Sequence, residues 1–88
     1  MHTLQNAREM IALKDILTDI AKAIVDSPDQ VSVTEEHDSE GNVILTLSVA
    51  PEDMGMVIGR HGKIAKAIRT VIKAAANTLK TKVSVEIK

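Results

Sequence analysis

The sequence predicts a single α+β domain with the element order α-β-β-α-α-β. Three observations predict it: two long segments with helical periodicity, three short segments of alternating apolar residues, and turn-forming Pro, Gly and Asn residues between them. A chain of 88 residues holds one small core. Because Phe, Tyr, Trp and Cys are all absent, that core is aliphatic, and neither a disulfide framework nor base stacking on aromatic rings is available.

The chain is predicted to begin with an amphipathic helix. We expect residues 1–12 to be an extension or the first turns of this helix, and residues 13–88 to be the folded domain. The helical periodicity extends from about Met10 to Asp26, and Pro28 prevents its continuation because proline has no backbone N–H. The predicted apolar stripe contains Ile16, Leu17, Ile20, Ala23 and Ile24.

A β-hairpin is predicted to follow the first helix. Val31 and Val33 alternate with polar residues, the segment 35–40 is strongly acidic, and Gly41-Asn42 offers the positive backbone angles of a tight turn. The returning strand places one apolar face against the helices, formed by Val43, Leu45, Leu47 and Val49.

Two helices and a final strand are predicted for the remainder of the chain. Pro51 suits the first turn of a short helix, the two acidic residues after it suit the positive end of the helix dipole, and Gly59 ends the helix. A longer helix begins at Lys63 and ends near Leu79, with a predicted core stripe of Ile64, Ile68, Ile72, Ala75 and Leu79. Alternation with polar residues predicts the last strand at Val83, Val85 and Ile87.

The charge distribution gives the first indication of function. Residues 1–58 carry three Lys or Arg against eleven acidic residues, a net charge of −8, whereas residues 59–88 carry eight against Glu86 alone, a net charge of +7. This basic segment favours a polyanionic partner over a simple division into basic and acidic faces. No apolar stretch approaches the roughly 18 residues that a membrane-spanning helix needs, so we expect a cytoplasmic protein without a membrane partner.

The segment Ile58-Gly59-Arg60-His61-Gly62-Lys63 lies where the basic part of the chain begins. Gly59 allows a positive backbone angle at the end of one helix, and Gly62 removes a side chain where the next helix starts. A phosphodiester backbone can therefore approach the main chain, where free N–H groups of the second helix point at phosphate. Gly55 leaves either an open groove or room for tight helix packing. The pattern favours a nucleic-acid-binding loop.

The segment from Glu52 to Lys63, followed by Ala67-Ile68-Arg69, resembles the core signature of the K-homology (KH) RNA-binding domain. The element order resembles the type II variant over roughly residues 13–88, and the stretch VIGRHGKIAKAIRTVIKAAA resembles the small single-domain bacterial KH proteins of the KhpA family. The resemblance implies three helices packed on one face of a mixed three-stranded sheet. The order of strands across that sheet stays open.

The resemblance also implies which residues bind RNA. In KH domains the loop between the two glycines holds about four single-stranded nucleotides, and the bases enter an adjacent aliphatic groove. Carried over by position, the glycines admit the phosphates, basic residues supply charge, and Gly55, Val57 and Ile64 shape the groove. His61 departs from the polar or basic residue more usual at its position. The full predicted set is Gly55, Val57, Ile58, Gly59, Arg60, His61, Gly62, Lys63, Ile64, Lys66 and Arg69.

The role implied by the resemblance is that of a post-transcriptional regulator or RNA chaperone. Such a protein is expected to act as a homodimer or with a larger KH-containing protein, called KhpB or Jag, because linked grooves raise affinity. A protein-interaction module with secondary RNA contact is the main alternative.

Two further functions are weaker. A helix-turn-helix DNA reader also joins two helices by a glycine-containing turn, but the second helix here lacks a set of Asn, Gln and Arg side chains suited to base reading. A phosphate-loop nucleotidase requires Ser or Thr where Ile64 stands. No Ser or Cys is paired with a positioned His, and the three histidines lie far apart, so we expect neither an enzyme nor a metal or other cofactor.

Overall fold

Three α-helices and three β-strands form the domain, in the predicted order. The computed structural model describes the backbone of residues 2–88 and the side chains of residues 13–88. Within this part of the chain the elements are α1, His2–Ile24; β1, Ser32–His37; β2, Val43–Ser48; α2, Met54–Ile58; α3, Lys63–Thr78; and β3, Val83–Ile87. This arrangement confirms the α+β fold class.

The sheet is mixed and has the strand order β1-β2-β3. β1 and β2 pair antiparallel, with Ser32 opposite Ser48, whereas β2 and β3 pair in parallel, with Val43 beside Val83. Parallel strands need a crossover connection, and here α2, the glycine loop and α3 provide it. The candidate loop therefore lies within the crossover between two paired strands.

The core lies between one face of the sheet and the helices. The alternation predicted for β2 is confirmed, because Val43, Leu45, Leu47 and Val49 are all buried. Val83 and Val85 bring the same periodicity from β3, and α3 adds a further buried stripe: Ala65, Ile68, Ile72 and Ala76.

Asp38 organises the hairpin turn. Its carboxylate accepts hydrogen bonds from the backbone N–H groups of Glu40 and Asn42, at 2.9 and 3.0 Å, and from the Asn42 side chain at 3.0 Å. These bonds, that of the Asn42 side chain foremost, lower the pKa of Asp38. Gly41 has φ +84°, but Asn42 does not share a positive angle. The two-residue reversal predicted at Gly41-Asn42 is therefore wrong, since the turn extends back to Asp38.

α1 differs from its prediction in two respects. It ends at Ile24 rather than at Asp26, whereas its start at His2 agrees with the expected alternative that the first residues form its first turns, which no Gly or Pro interrupts. The predicted extension covers residues 1–12. Met1 and the side chains of residues 2–12 lie outside the part of the chain that the structure describes. The predicted stripe is also rotated, because Ala23 is exposed and the buried residues are Leu13, Leu17, Ala21 and Val25.

The segment before α2 ties α1 to the loop region. Pro51–Asp53 forms a separate 3-10 turn, and α2 begins only at Met54. The side chain of Asp53, predicted to serve the helix dipole, is 1% exposed, and its Oδ2 accepts the backbone N–H of Ser27 at 3.0 Å. Asp53 therefore joins the turn after α1 to the start of α2.

α3 ends in a left-handed cap. The N–H of Thr81 donates to the carbonyl of Ala76, and the N–H of Lys80 donates to the carbonyl of Asn77, both at 3.0 Å. This pair of bonds is the Schellman arrangement, which usually has glycine at the residue with positive φ. Here that residue is Lys80, with φ +57°.

Candidate nucleic-acid interface

The glycine loop is a single 3-10 turn between α2 and α3. The N–H of Gly59 donates to the carbonyl of Gly55 at 2.9 Å, and the N–H of Gly62 donates to the carbonyl of Gly59 at 3.2 Å. The first residue of α3 donates to the carbonyl of Arg60. These backbone bonds close the segment from Gly55 to Lys63 into one continuous turn between the two helices. The free N–H groups expected at the start of α3 stay a prediction.

Gly59 is required by its backbone angles and by its surroundings. Its φ of 75° and ψ of 175° fall in a region that is essentially restricted to glycine. An added Cβ would lie 2.6 Å from Cγ1 of Ile64 and 2.8 Å from its Cβ. The loop thus packs directly against the first turn of α3.

The outer half of the loop is open. Gly62 has φ +73°, and an added Cβ there would meet no atom within 4 Å. His61 also adopts a left-handed conformation, with φ 56° and ψ 26°, which histidine tolerates better than most side chains. Both Arg60 and His61 are exposed. The turn therefore presents a cation and an imidazole to solvent.

α3 divides the predicted site residues between two flanks on either side of its buried stripe. One, the apolar flank, consists of Ile64, Ala67 and Val71 and faces α1. The other, the basic flank, consists of Lys66, Arg69 and Lys73 and faces β3 and solvent. The sequence prediction had placed Ile64 in one site with Lys66 and Arg69, whereas the structure separates them.

The apolar flank borders a groove of about 390 Å³ between α3 and α1. Ile20 and Ile24 of α1 form the opposite wall, and Lys63 lies on the α3 side. Ile64 is 38% exposed and Val71 is 49% exposed. The assignment of Ile64 to the core stripe is therefore wrong. At the start of α3 it is the side chain of Ala65, and not that of Ile64, that points into the core.

The basic flank contacts the free edge of β3. Nε of Arg69 donates to the carbonyl oxygen of Val85 at 3.2 Å. The carbonyl of Lys82 and the N–H of Lys88 form hydrogen bonds with β2. Because the backbone groups of successive residues in a strand point to opposite sides, those of even-numbered residues face β2, and those of Val85 point away from it. Arg69 thus covers an edge carbonyl, whereas Lys66 remains exposed.

The predicted residues of α2 separate into exposed and buried positions. Gly55 is exposed, and an added Cβ would meet nothing within 4 Å, so the tight-packing explanation is wrong and the surface above Gly55 is open. Ile58 is 40% exposed. Val57 is 0% exposed and belongs to the core, so its side chain is out of reach of a ligand. Met56 is 38% exposed as well.

Sequence reasoning did not single out Val71 and Lys73, which extend the apolar and the basic flank beyond the predicted residues. Both carried a usable signal, because each lies seven residues after a predicted site residue, Ile64 and Lys66 respectively. Residues seven apart share one face of a helix.

The described residues contain no group of three His, Asp or Glu arranged to hold a metal ion. Over the same part of the chain, no helix combines the length and the hydrophobicity needed to cross a bilayer.

Comparison with known families and proteins gives a consistent result. The model of the KhpA/KhpB KH domain matches residues 14–87. The RNA-binding protein KhpA of Clostridium acetobutylicum is 59% identical over 75 residues, which are 85% of this chain and 99% of that protein. The protein of the same name from Treponema pallidum is 46% identical over 74 residues, 84% of this chain and 91% of that protein.

A solved structure supports the fold independently. The crystal structure of a point variant of Aquifex aeolicus Era bound to GDP·AlF4⁻ superposes with a TM-score of 0.59 at 15% sequence identity. The match covers 86% of this chain and 29% of that longer chain. At this identity the likeness concerns the fold alone.

Proposed function

The chain belongs to the family of KhpA/KhpB KH domains, and from this premise we propose that it binds single-stranded RNA through the Gly59–Gly62 loop. The family consists of RNA-binding proteins, and the chain is accordingly an RNA-binding protein and not an enzyme. The observation that carries the proposal is the loop backbone, which is rigidly placed by Gly59 and open at Gly62.

Phosphate recognition uses the main chain and the loop cations together. A phosphate approaches Gly62, where no Cβ obstructs it, and accepts hydrogen bonds from backbone N–H groups of the loop and of the first turn of α3. The side chains of Arg60 and Lys63 are exposed and supply positive charge on either side of the turn. Backbone contacts of this kind position RNA without selecting a sequence.

The bases lie against the open surface of α2, and the strand continues along the part of the basic flank nearest the loop, at Lys66 and Arg69. Gly55 leaves that surface free of a side chain, and the exposed part of Ile58 provides aliphatic contact. Lys66 extends the positive track, and the Nε of Arg69 is held on β3. The narrow turn suits unstacked bases, so single strands bind more tightly than duplexes. With about three or four phosphates neutralised, log affinity falls against log salt with a slope of roughly −2 to −3.

Replacing Arg60 and His61 together by Asp tests the proposal. One cation is lost and two anions are added at the phosphate site, so binding of single-stranded RNA, measured by anisotropy, falls below detection. Stability changes by no more than about 0.5 kcal/mol, because Asp tolerates a left-handed backbone and acidic residues suit the N-terminus of α3.

Circular dichroism and thermal melting accompany this titration. A matched control, Lys14→Asp with Gln30→Asp, makes the same change in charge at two exposed positions on α1 and the turn after it, and it retains most of the affinity. If the loop variant stays folded and binds RNA as tightly as the parent, the loop only connects two helices. Tighter binding of duplex DNA than of single strands would favour the helix-turn-helix alternative.

The apolar flank favours a second role in assembly. Its exposed side chains and the facing Ile20 and Ile24 form an aliphatic surface with no partner among the described residues. Exposed apolar grooves of this kind commonly mark protein interfaces. The working form is therefore a homodimer or a complex with a larger KH-containing protein such as KhpB, acting on cytoplasmic RNA as a regulator or chaperone.

A further inference from the structure

We propose that RNA continuing past the glycine loop enters a second subsite at the far end of α3, which binds one further nucleotide of the same strand. The subsite is a pocket of about 450 Å³ between the end of α3, the start of β3 and the hairpin turn. This inference rests on the proposed function and adds to it a longer footprint. None of the pocket residues belongs to the set predicted from sequence.

The pocket combines cations with neutral hydrogen-bonding groups. Lys73 and Asn77 line it from α3, and Lys82 and Ser84 line it from β3. The ammonium groups suit phosphate, whereas an amide and a hydroxyl suit the edge of a base or a ribose hydroxyl. Ile44 adds an aliphatic side chain to the lining. This combination matches a whole nucleotide better than a free phosphate.

The hairpin turn brings one carboxylate to the same pocket. Asp38 lines it together with Asn42, and the hydrogen bonds from Asn42 and from the amides of the turn lower the pKa of Asp38. The carboxylate is therefore an anion at neutral pH, and it repels a bare phosphate placed beside it. A base amino group or a ribose hydroxyl can donate to Asp38 while the phosphate lies beside Lys73 and Lys82.

The basic flank connects the loop with this pocket. α3 rises by 1.5 Å per residue, so Lys73 lies about 10 Å beyond Lys66 and about 15 Å beyond Lys63 along the axis. Arg69 lies between them and is held on β3 through Val85. α3 contains no acidic residue, so a strand following this flank meets no negative side chain on the helix before the pocket.

Oligonucleotide length tests the proposal, because the loop holds about four nucleotides and the pocket lies beyond them. The variant Lys73→Gln with Lys82→Gln is compared with the parent on RNAs of about four and about eight nucleotides, by anisotropy. We expect the affinity for the longer RNA to fall about tenfold and the affinity for the shorter one to fall less than twofold. For the longer RNA, the slope of log affinity against log salt should become smaller in magnitude by about 1.4.

Two further variants isolate the pocket. Lys14→Gln with Lys22→Gln removes the same charge from exposed positions on α1 and changes neither affinity by more than about twofold. Asn77→Leu removes a neutral hydrogen-bonding group, and we expect it to weaken the longer RNA without altering the salt slope.

Parental affinity of the Lys73 and Lys82 variant for the longer RNA would overturn the proposal. An equal loss on both lengths would also overturn it, because it would show general attraction by charge. If the proposed function holds, the variant with Asp at positions 60 and 61 loses its affinity for both the shorter and the longer RNA. Failure of the loop and failure of the pocket therefore give different results.

Discussion

The two flanks of α3 use one helix for two different surfaces. The apolar flank, Ile64, Ala67 and Val71, faces α1 across a groove and carries no charge, whereas the basic flank, Lys66, Arg69 and Lys73, faces β3. Residues on either flank follow one another at intervals of three, four or seven, so the buried stripe keeps the two sets on opposite sides. Nucleic-acid contact and protein contact can therefore occur on one short helix without competing for space.

This separation teaches that neighbouring residues in the sequence need not share a function. Lys63 borders the apolar groove, and Lys66, three residues later, belongs to the basic flank. A substitution on one flank should leave the other intact. The loop is the exception, because Gly59 lies against Ile64 and so links the glycine loop to the apolar flank.

The variant Gly59→Ala is expected to have the largest effect, because it disturbs the glycine loop and the apolar flank through their shared contact. Alanine at position 59 would have to adopt backbone angles that only glycine tolerates, and its Cβ would overlap with Ile64. Together these two effects lower the free energy of unfolding by about 3 kcal/mol. Urea denaturation monitored by circular dichroism measures the loss.

Gly41→Ala is the matched control for this variant, because Gly41 also has positive φ but has open space around it. We expect it to cost about 1 kcal/mol, the backbone contribution alone. If the two variants lost equal stability, the contact between Gly59 and Ile64 would carry no energy, and the link between loop and apolar flank would be absent.

The variant Val71→Lys tests the independence of the flanks directly. An ammonium buried without a partner in an apolar interface weakens self-association by about a hundredfold, or 2.7 kcal/mol, while the affinity for short single-stranded RNA stays within about twofold. Sedimentation over a range of concentrations gives the first quantity and anisotropy the second. Val71 is 49% exposed, so the monomer tolerates the change.

Ala74→Lys adds the same charge to an exposed position of α3 that belongs to neither flank, and it should leave self-association unchanged. An equal loss of RNA affinity and assembly in the Val71 variant would show that the two surfaces are coupled. A parent that sediments as a monomer at every concentration, alone and with a KhpB-like partner, would remove the assembly role.

The variant Lys80→Gly has the smallest expected effect and should alter neither flank. Glycine adopts the left-handed cap of α3 without steric cost, so unfolding becomes less favourable by about 0.5 to 1 kcal/mol. Thermal melting then shifts upward by a few degrees. A shift accompanied by altered RNA binding would show that the cap communicates with the basic flank.

The helices and strands could be predicted from the sequence wherever the spacing of apolar residues repeats several times in succession. The strict alternation in β2 and the long period of α3 each provide several consistent positions, so Leu45, Leu47, Ile68 and Ile72 were correctly placed in the core. α2 has five residues, too few to fix a phase, and the burial of Val57 was therefore missed. The strand order was open because it depends on pairing between distant segments.

The candidate loop was located because glycine spacing reports backbone angles directly. Gly59 and Gly62 both have positive φ. The division of the site was not predictable from spacing, because it requires knowing which side of α3 meets α1 and which meets β3. The hydrogen bond of Asp53 was missed for a related reason: its partner is a backbone amide 26 residues earlier, and no local pattern signals that contact.

The parallel pairing of β2 with β3 has a consequence for the order of folding. β3 ends at Ile87, and the N–H of Lys88 donates to the carbonyl of Leu47 at 2.8 Å, so β3 completes the sheet along the length of β2. Pairing strands this far apart is slow compared with forming a hairpin or a helix turn. The hairpin of β1 and β2 can therefore form before β3 pairs with β2, and α3 acquires its support on β3 only at that later step. The glycine loop is thus among the last parts of the domain to become ordered, and in a refolding experiment the affinity for RNA should appear together with the parallel pairing of β3.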